Sequence, residues 1–381
     1  MELKGYWNKD GSVGIRNHVA IVSLSVFSNT ATQAISSAVD GTIPLTHPHG
    51  RAEIGIYKTR LHSNILGQIE NPNVQAALLI GYEGKTTSKY LQELKAVTKK
   101  DINFVNVLEY GTIDAIAEGT KKALELSSQV SDIMREPMSV EDLTVGIKCG
   151  STDATSGIAS NPAVGNAVDR VLTDGGTAIF SETTEILGAE HILSRRGVDD
   201  GVSRKILEAA RKNEEFAISM GVDLMGINPV PDNIEGGIST IEEKSLGAIR
   251  KSGTKEIQGV LNLGEKPVKN GLYFLDYPSA AQEVMTALTS TGCQVILFST
   301  GVGNPSGTPI SPVIKVTGNQ RTVQRIPSHI DVDVSDMILD SMTISAAGSK
   351  IFDFLEHVVN GRKTKAEILK HREFSPIAVG L

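Results

Sequence analysis

Short apolar runs alternate with stretches of helical spacing along almost the whole chain, and this alternation limits the fold more than any other feature. Val19 to Leu24, Thr42 to Leu45, Ala76 to Ile80 and Asn103 to Val107 read as buried strands, bounded by turn residues. Between them, Ser28-Asn29-Thr30 offers a cap for a helix through Val39, and Tyr57 to Ile69, Ser88 to Thr98 and Ile113 to Ser128 have helical periodicity. The pattern resumes with strands at Leu143 to Ile147, Thr177 to Phe180, Gly271 to Leu275, Val295 to Phe298 and Val313 to Thr317. Helices are expected over Val164 to Leu172, Val202 to Met220, Ile241 to Lys251, Ala280 to Thr291 and Ile344 to Val359. Such alternation predicts an α/β protein with parallel, doubly wound sheets. At 381 residues the chain is long for one core, so two Rossmann-like parallel-sheet domains are expected, with the site in the cleft between them. The polar stretch Ser131 to Glu141, with Pro137 and no clear period, is the expected boundary, giving domains of residues 1–135 and 139–381.

Composition narrows the function classes. The net charge is −7 with no long basic run, and only 4% of residues are aromatic, which argues against a nucleic-acid binder. Two cysteines, Cys149 and Cys293, are too few for a disulfide framework and suit a reducing cytoplasm. The first ten residues lack the apolar core of a secretory signal, and no apolar run is long enough to span a membrane. An ordinary cytoplasmic globule is the reading this leaves.

Ligands of open α/β sheets bind outside the carboxyl ends of the strands, so the loops that follow the apolar runs are the site candidates. One loop offers Cys149, Ser151, Asp153, Ser156 and Asn161. The next offers Glu182, Glu185, Glu190 and His191. His47, His49 and Arg51 follow an earlier strand, and Asn233, Gly236 and Gly237 form an anion-friendly loop before a helix. Each has a plainer reading. Acids complement a helix N-terminus, Cys149 is an inert buried thiol, the histidines are structural or lie in a solvated loop, and Glu243 with Lys244 is an exposed pair. Gly301 to Gly307 is Gly-rich, but Pro305 and the missing acidic partner argue against a dinucleotide loop.

Several longer strings resemble the altronate/galactarate dehydratase family. They are Gly11-Ser12-Val13-Gly14-Ile15-Arg16-Asn17-His18-Val19, Cys149-Gly150-Ser151-Thr152-Asp153 with Ser156-Gly157 and Asn161-Pro162, and Ser181-Glu182-Thr183-Thr184-Glu185 through Gly188-Ala189-Glu190-His191. Asn233 with Gly236-Gly237 and Glu243-Lys244-Ser245-Leu246-Gly247 continues the match. Within the family the chain looks closer to the sulfo-lyase branch. Gly50-Arg51-Ala52 and Gly81-Tyr82-Glu83 stand where sugar-acid dehydratases carry cysteines. Leu272 to Ala281, Pro312 to Lys315, Gly318-Asn319 with Arg321-Thr322, and His371-Arg372-Glu373-Phe374 also look sulfo-lyase-like.

The resemblance implies a lyase that performs β-elimination on a 2-hydroxy acid, with sulfolactate going to pyruvate and sulfite. Dehydration of altronate or galactarate is the alternative, and a non-catalytic acid-binding subunit the third reading. It also implies a separate small SAF-domain subunit and a homo-oligomer. The α proton is very weakly acidic, so the neighbouring carboxylate must be neutralised, a task suited to a divalent metal: Fe²⁺ first, then Mn²⁺, Mg²⁺ or Ca²⁺. The catalytic candidates are Glu182, Glu185, His191 and Asp153. The expected metal ligands are Glu185, Glu190, Cys149 and Glu83. Arg51, His47, His49, Ser151, Asn161, Asn233, Gly236, Gly237 and Lys244 are the expected substrate contacts, with Arg51 reading the sulfonate.

Overall fold

A computed structural model describes residues 1–224, 228–278 and 280–377; Ser279, in one of the strings that carry the resemblance, lies outside the described residues. Among the described residues, fourteen strands form three sheets. They are β1 (Leu3–Trp7), β2 (Val13–Gly14), β3 (His18–Ser23), β4 (Thr42–Leu45), β5 (Val74–Gly81), β6 (Asp101–Asn106), β7 (Glu136–Met138), β8 (Thr144–Gly150), β9 (Thr177–Phe180), β10 (Ile257–Leu261), β11 (Leu272–Leu275), β12 (Val295–Thr300), β13 (Val313–Thr317) and β14 (Val332–Asp333).

The first large sheet has the order β4-β3-β5-β6 and the second β10-β11-β9-β8-β12-β13-β14, with every pairing parallel. Parallel strands are buried on both faces, which is why β5 reads Val-Gln-Ala-Ala-Leu-Leu-Ile-Gly with every residue buried. Helices Gly55–Glu70 and Gly84–Val97 cover one face of the first sheet through Leu61, Ile65, Ile69 and Leu94. Helices Asn29–Ala38 and Thr112–Ser131 cover the other through Ile35, Ala115, Ala123 and Leu126. On the second sheet, helices Asn161–Thr173, Asp200–Ser219 and Ile344–Val359 pack on one face, and helix Ala281–Ser290 on the other.

Helix Ala281–Ser290 also meets helix Gly55–Glu70 of the first sheet. Gln68 Nε2 donates to the Thr286 carbonyl at 3.0 Å, and Ser290 Oγ donates to the Asn64 carbonyl at 3.1 Å. The helices approach so closely at Gly67 that a Cβ there would lie 2.3 Å from the Ser290 oxygen. The C-terminal segment crosses back as well, placing Ile377 in the core of the first sheet beside Leu61 and Ile65.

Several local expectations need correction. Ser28 makes no side-chain cap bond; Ser25 caps the short turn before it, accepting from Phe27 N. The stretch expected to be irregular around Pro137 instead holds β7, which pairs antiparallel with β1. The loop Asn228 to Thr240 contains a short helix, Pro231–Glu235. β1, β2 and β10 were not anticipated; β10 is broken in pattern by Gly259. Among the described residues no helix is long and apolar enough to cross a membrane.

Candidate active site at the switch point of the larger sheet

From β8 the chain passes to β9, then to β10 at the sheet edge and back in to β11, before crossing to β12 on the opposite side of β8. The carboxyl ends of β8 and β12 therefore flank the point where strand order reverses, the usual place for a ligand crevice. Two residues beside it have left-handed backbone without being glycine: Ser151 after β8 (φ 51°) and Glu182 after β9 (φ 84°). Such backbone costs roughly 1–2 kcal/mol per residue, and it aims both side chains off the ends of their strands.

Glu182 is fully buried between two buried lysines. Its Oε1 accepts from Lys148 Nζ, and its Oε2 accepts from Lys251 Nζ at 2.8 Å and from the Cys149 backbone N–H at 3.0 Å. Burial alone would raise the Glu182 carboxyl, but Lys148 and Lys251 outweigh it and hold the group below its ordinary value. Burial likewise works against the Lys251 charge, while Cys149 and Glu182 more than restore it. Lys251 Nζ also lies 3.2 Å from Cys149 Sγ, and burial followed by the Glu182 charge pushes that thiol up to about 11. Two lysine nitrogens thus converge on this one buried carboxylate.

Glu185 stands on the next turn. Its Oε1 pairs with Lys244 Nζ at 3.1 Å, Lys244 also donates to Asn228 Oδ1 at 2.8 Å, and Glu185 Oε2 is buried without a hydrogen-bond partner. Asp153 is fixed on every side: Oδ1 accepts from Thr155 Oγ1 at 2.6 Å and Ser156 N at 3.1 Å, and Oδ2 from Asn319 Nδ2 at 2.7 Å. A side chain at Gly301, which follows β12, would place its Cβ 2.3 Å from the Asp153 carboxyl carbon, so only glycine admits this carboxylate.

Asp153 lies between two cavities. One, of about 1130 Å³, is also lined by Gly236, Gly237, Asn319, Arg321 and Arg325. The other, of about 480 Å³, is lined by Thr152, Lys244, Gly247 and Arg250. Arg321 is exposed and makes no ion pair among the described residues, so its guanidinium is available to an anion.

The structure thus gathers Asp153, Glu182, Glu185, Lys244, Cys149, Gly236 and Gly237 into one region. Ser151 belongs to it through Asn304, whose Nδ2 donates to Ser151 Oγ at 3.3 Å. Asn161 and Asn233 act as braces: Asn161 Nδ2 donates to the Gly247 carbonyl at 3.0 Å, and Asn233 Nδ2 to the Thr152 carbonyl at 2.9 Å. His191 is exposed and forms no hydrogen bond or ion pair with these groups among the described contacts.

His47, His49, Arg51 and Glu83 form a separate group beyond the first sheet. His47 is buried, donates from Nε2 to the Ser23 carbonyl at 2.9 Å and accepts the His49 N–H at Nδ1; burial lowers it to about 4, keeping it neutral. Arg51 lies over the rings of Phe27 and Tyr82, 3.9 Å from Glu83. None of these four lines either cavity at Asp153.

The expected metal ligands are not brought together. Glu185 is paired with Lys244, Cys149 is a thiol held by Lys251, Glu83 faces Arg51, and Glu190 lines a different cavity against helix Asp200–Ser219. Among the described residues no group of three or more His, Cys, Asp or Glu side chains is arranged to hold a metal. These residues do not fit a shared ion, and positive charge beside the acids comes from lysine.

Sequence reasoning assigned no site role to Lys148, Lys251, Asn319 or Arg321, although the last two lie in a string that looks sulfo-lyase-like. Lys148 had a usable signal: a charge inside the apolar strand Val145–Cys149 needs a buried partner.

The sequence matches the family model described as D-galactarate/altronate dehydratase, C-terminal, over residues 140–381, and that of the D-galactarate dehydratase/altronate hydrolase second domain over residues 5–131. It is 40% identical to the (2R)-sulfolactate sulfo-lyase subunit beta of Chromohalobacter salexigens, covering 98% of each chain. It is 28% identical to the altronate dehydratase of Bacillus subtilis, over 99% of this chain and 77% of that one. It is 30% identical to the galactarate dehydratase (L-threo-forming) of Escherichia coli, over 95% and 73%.

Proposed function

The chain belongs to the D-galactarate/altronate dehydratase family, and we propose that it is a lyase eliminating a β substituent from a 2-hydroxy acid, with sulfolactate converted to pyruvate and sulfite. The 40% identity to a sulfo-lyase subunit, end to end on both chains, carries the choice of substrate. The second reading is the hydro-lyase reaction on a sugar acid, supported by the dehydratase relatives.

The reaction assigns distinct tasks to the acids. Of Asp153, Glu182 and Glu185, Glu185 alone keeps a buried carboxylate oxygen without a hydrogen-bond partner among the described residues, so it is assigned the α proton, with Lys244 positioning its other oxygen. Glu182 is locked by two lysines and Asp153 by three donors, which suits them to organise charge rather than accept a proton. Lys148 and Lys251, held in place by Glu182, favour the substrate carboxylate as negative charge builds on it. The electron pair of the broken C–H bond forms the C=C bond, the C–S pair leaves with sulfite, and the enol becomes pyruvate on reprotonation. Arg321, in the Asp153 cavity, joins Arg51 as a candidate sulfonate reader.

Two Rossmann-like domains, residues 1–135 and 139–381, with the first presenting His47, His49 and Arg51 across a cleft, are part of this reading. So are a cytoplasmic location, a homo-oligomer and a small SAF-domain subunit; the name of one relative, subunit beta, supports a multi-subunit assembly. Glu185→Gln tests the assignment: turnover should fall by about 10²–10⁴ with the far-UV spectrum unchanged, and full activity would remove Glu185 from the mechanism. Assaying metal-stripped protein before and after adding Fe²⁺, Mn²⁺, Mg²⁺ or Ca²⁺ reads metal dependence directly. Restoration by one ion would place it on donors other than the four expected.

A further inference from the structure

Lys315, in the middle of β13, has no accessible surface, and its Nζ is the one lysine nitrogen among the described residues that is buried without a hydrogen-bond partner. A buried unpaired ammonium is costly, so its retention asks for an occupant. The acids nearby are committed elsewhere. Asp331 accepts the backbone N–H groups of Lys315 and Lys365, each at 2.9 Å, and Glu373 Oε2 accepts the Gly307 N–H at 2.7 Å.

Two imidazoles complete the surroundings. His329 and His371 meet edge to face at 5.3 Å, and Nδ1 of each is buried and unpartnered. Burial lowers both, and the Lys315 charge lowers them further, so both are neutral near pH 7. A neutral imidazole carries its proton on one ring nitrogen only, so the buried, unpartnered Nδ1 of His371 can serve as an acceptor. His329 Nδ1, equally unpartnered, can present an N–H in the other tautomer. Burial, partly offset by Asp331 and then Glu373, brings Lys315 to about 8, leaving it mostly charged near neutrality.

The approach to this cluster is cationic. His371 borders a cavity of about 420 Å³ in which Arg16, Arg135, Lys363 and Arg372 outnumber Asp40 and Glu367. Lys363 and Arg372 form no ion pair among the described residues, so their charge is free to draw an anion inward.

We propose that Lys315, His329 and His371 form a binding site for a small oxyanion that still carries a proton, such as hydrogensulfite or hydrogenphosphate. Lys315 supplies the charge, His329 a donor, and His371 Nδ1 the acceptor for the anion's O–H. The site is separate from the Asp153 cavity and does not rest on the proposed elimination.

Isothermal titration of the full chain near neutral pH tests it, with hydrogensulfite, hydrogenphosphate and acetate as probes. The two protic oxyanions should bind saturably and acetate much more weakly. Lys315→Met should weaken them by at least about tenfold, Arg372→Ala by a few-fold, and Asn319→Ala, in the other cavity, not at all. Arg372→Ala and Asn319→Ala keep the comparison available should the Lys315→Met chain fail to fold. The absence of saturable binding, binding as tight in Lys315→Met as in the parent, or loss of binding in Asn319→Ala rather than Arg372→Ala would each overturn the proposal.

Discussion

Glu182 shows how much one side chain carries. It is the only carboxylate bonded to both Lys148 and Lys251 among the described contacts, so Glu182→Gln leaves two buried ammonium groups facing a neutral amide. Breaking a buried pair in this way costs about 3–5 kcal/mol. Urea denaturation should show a loss of that order, together with loss of turnover; an unchanged midpoint would mean the lysines are satisfied without it. Arg51 and Arg321 pose a residue-scale choice of specificity. Arg51 already stacks on Phe27 and Tyr82, whereas Arg321 lines the Asp153 cavity and makes no ion pair among the described residues. Arg321→Ala should therefore raise KM for a sulfonated substrate more than for a sugar acid, and by more than Arg51→Ala does. Equal effects on both substrates would remove Arg321 as the reader.

At the scale of elements, the site is made by loops at the ends of β8, β9 and β12, and their closeness depends on small residues. Gly301→Ala would place its Cβ 2.3 Å from the Asp153 carboxyl carbon and 2.7 Å from the Asp153 backbone nitrogen, so it should cut turnover sharply together with a clear loss of stability; activity near the parent level would show that Asp153 need not sit where it does. The elements themselves were largely legible, because parallel strands buried on both faces appear as bare apolar runs: β4 and β9 lie where the pattern put them, as does β13. β1 and β7 were not legible, since short antiparallel strands with exposed positions such as Glu136 carry no apolar signature. The acids of the site were legible as loop polarity. Their lysine partners were not, because Lys148 and Lys315 sit inside apolar strands and Lys251 closes a helix; pairing across sequence distance leaves no local mark.

At the scale of the whole molecule, distant parts of the chain are tied together by buried polar contacts. Arg16 Nε pairs with Glu367 Oε1 at 2.7 Å, and its Nη2 donates to Oε2 at 2.9 Å, linking the start of the first sheet to the last helix. Burial alone would raise Glu367, but the hydrogen bonds and charge of Arg16 hold it below its ordinary 4.5. A carboxylate lowered in the folded state contributes stability above its unfolded value and loses it as pH falls through the folded one. Stability should therefore drop on acidification below about 4.5, and Glu367→Gln should be less stable at neutral pH with a shallower acid slope; an identical slope would show that the pair does not govern acid unfolding. The central claim concerns chemistry, and one endpoint assay addresses it most directly: sulfolactate, altronate and galactarate offered in parallel, with divalent metal and a candidate small subunit supplied. The account predicts sulfite and pyruvate in equal amounts from sulfolactate, and none from the Glu185→Gln chain. A 3-deoxy-2-keto sugar acid without sulfite, or binding of these acids with no product, would contradict it.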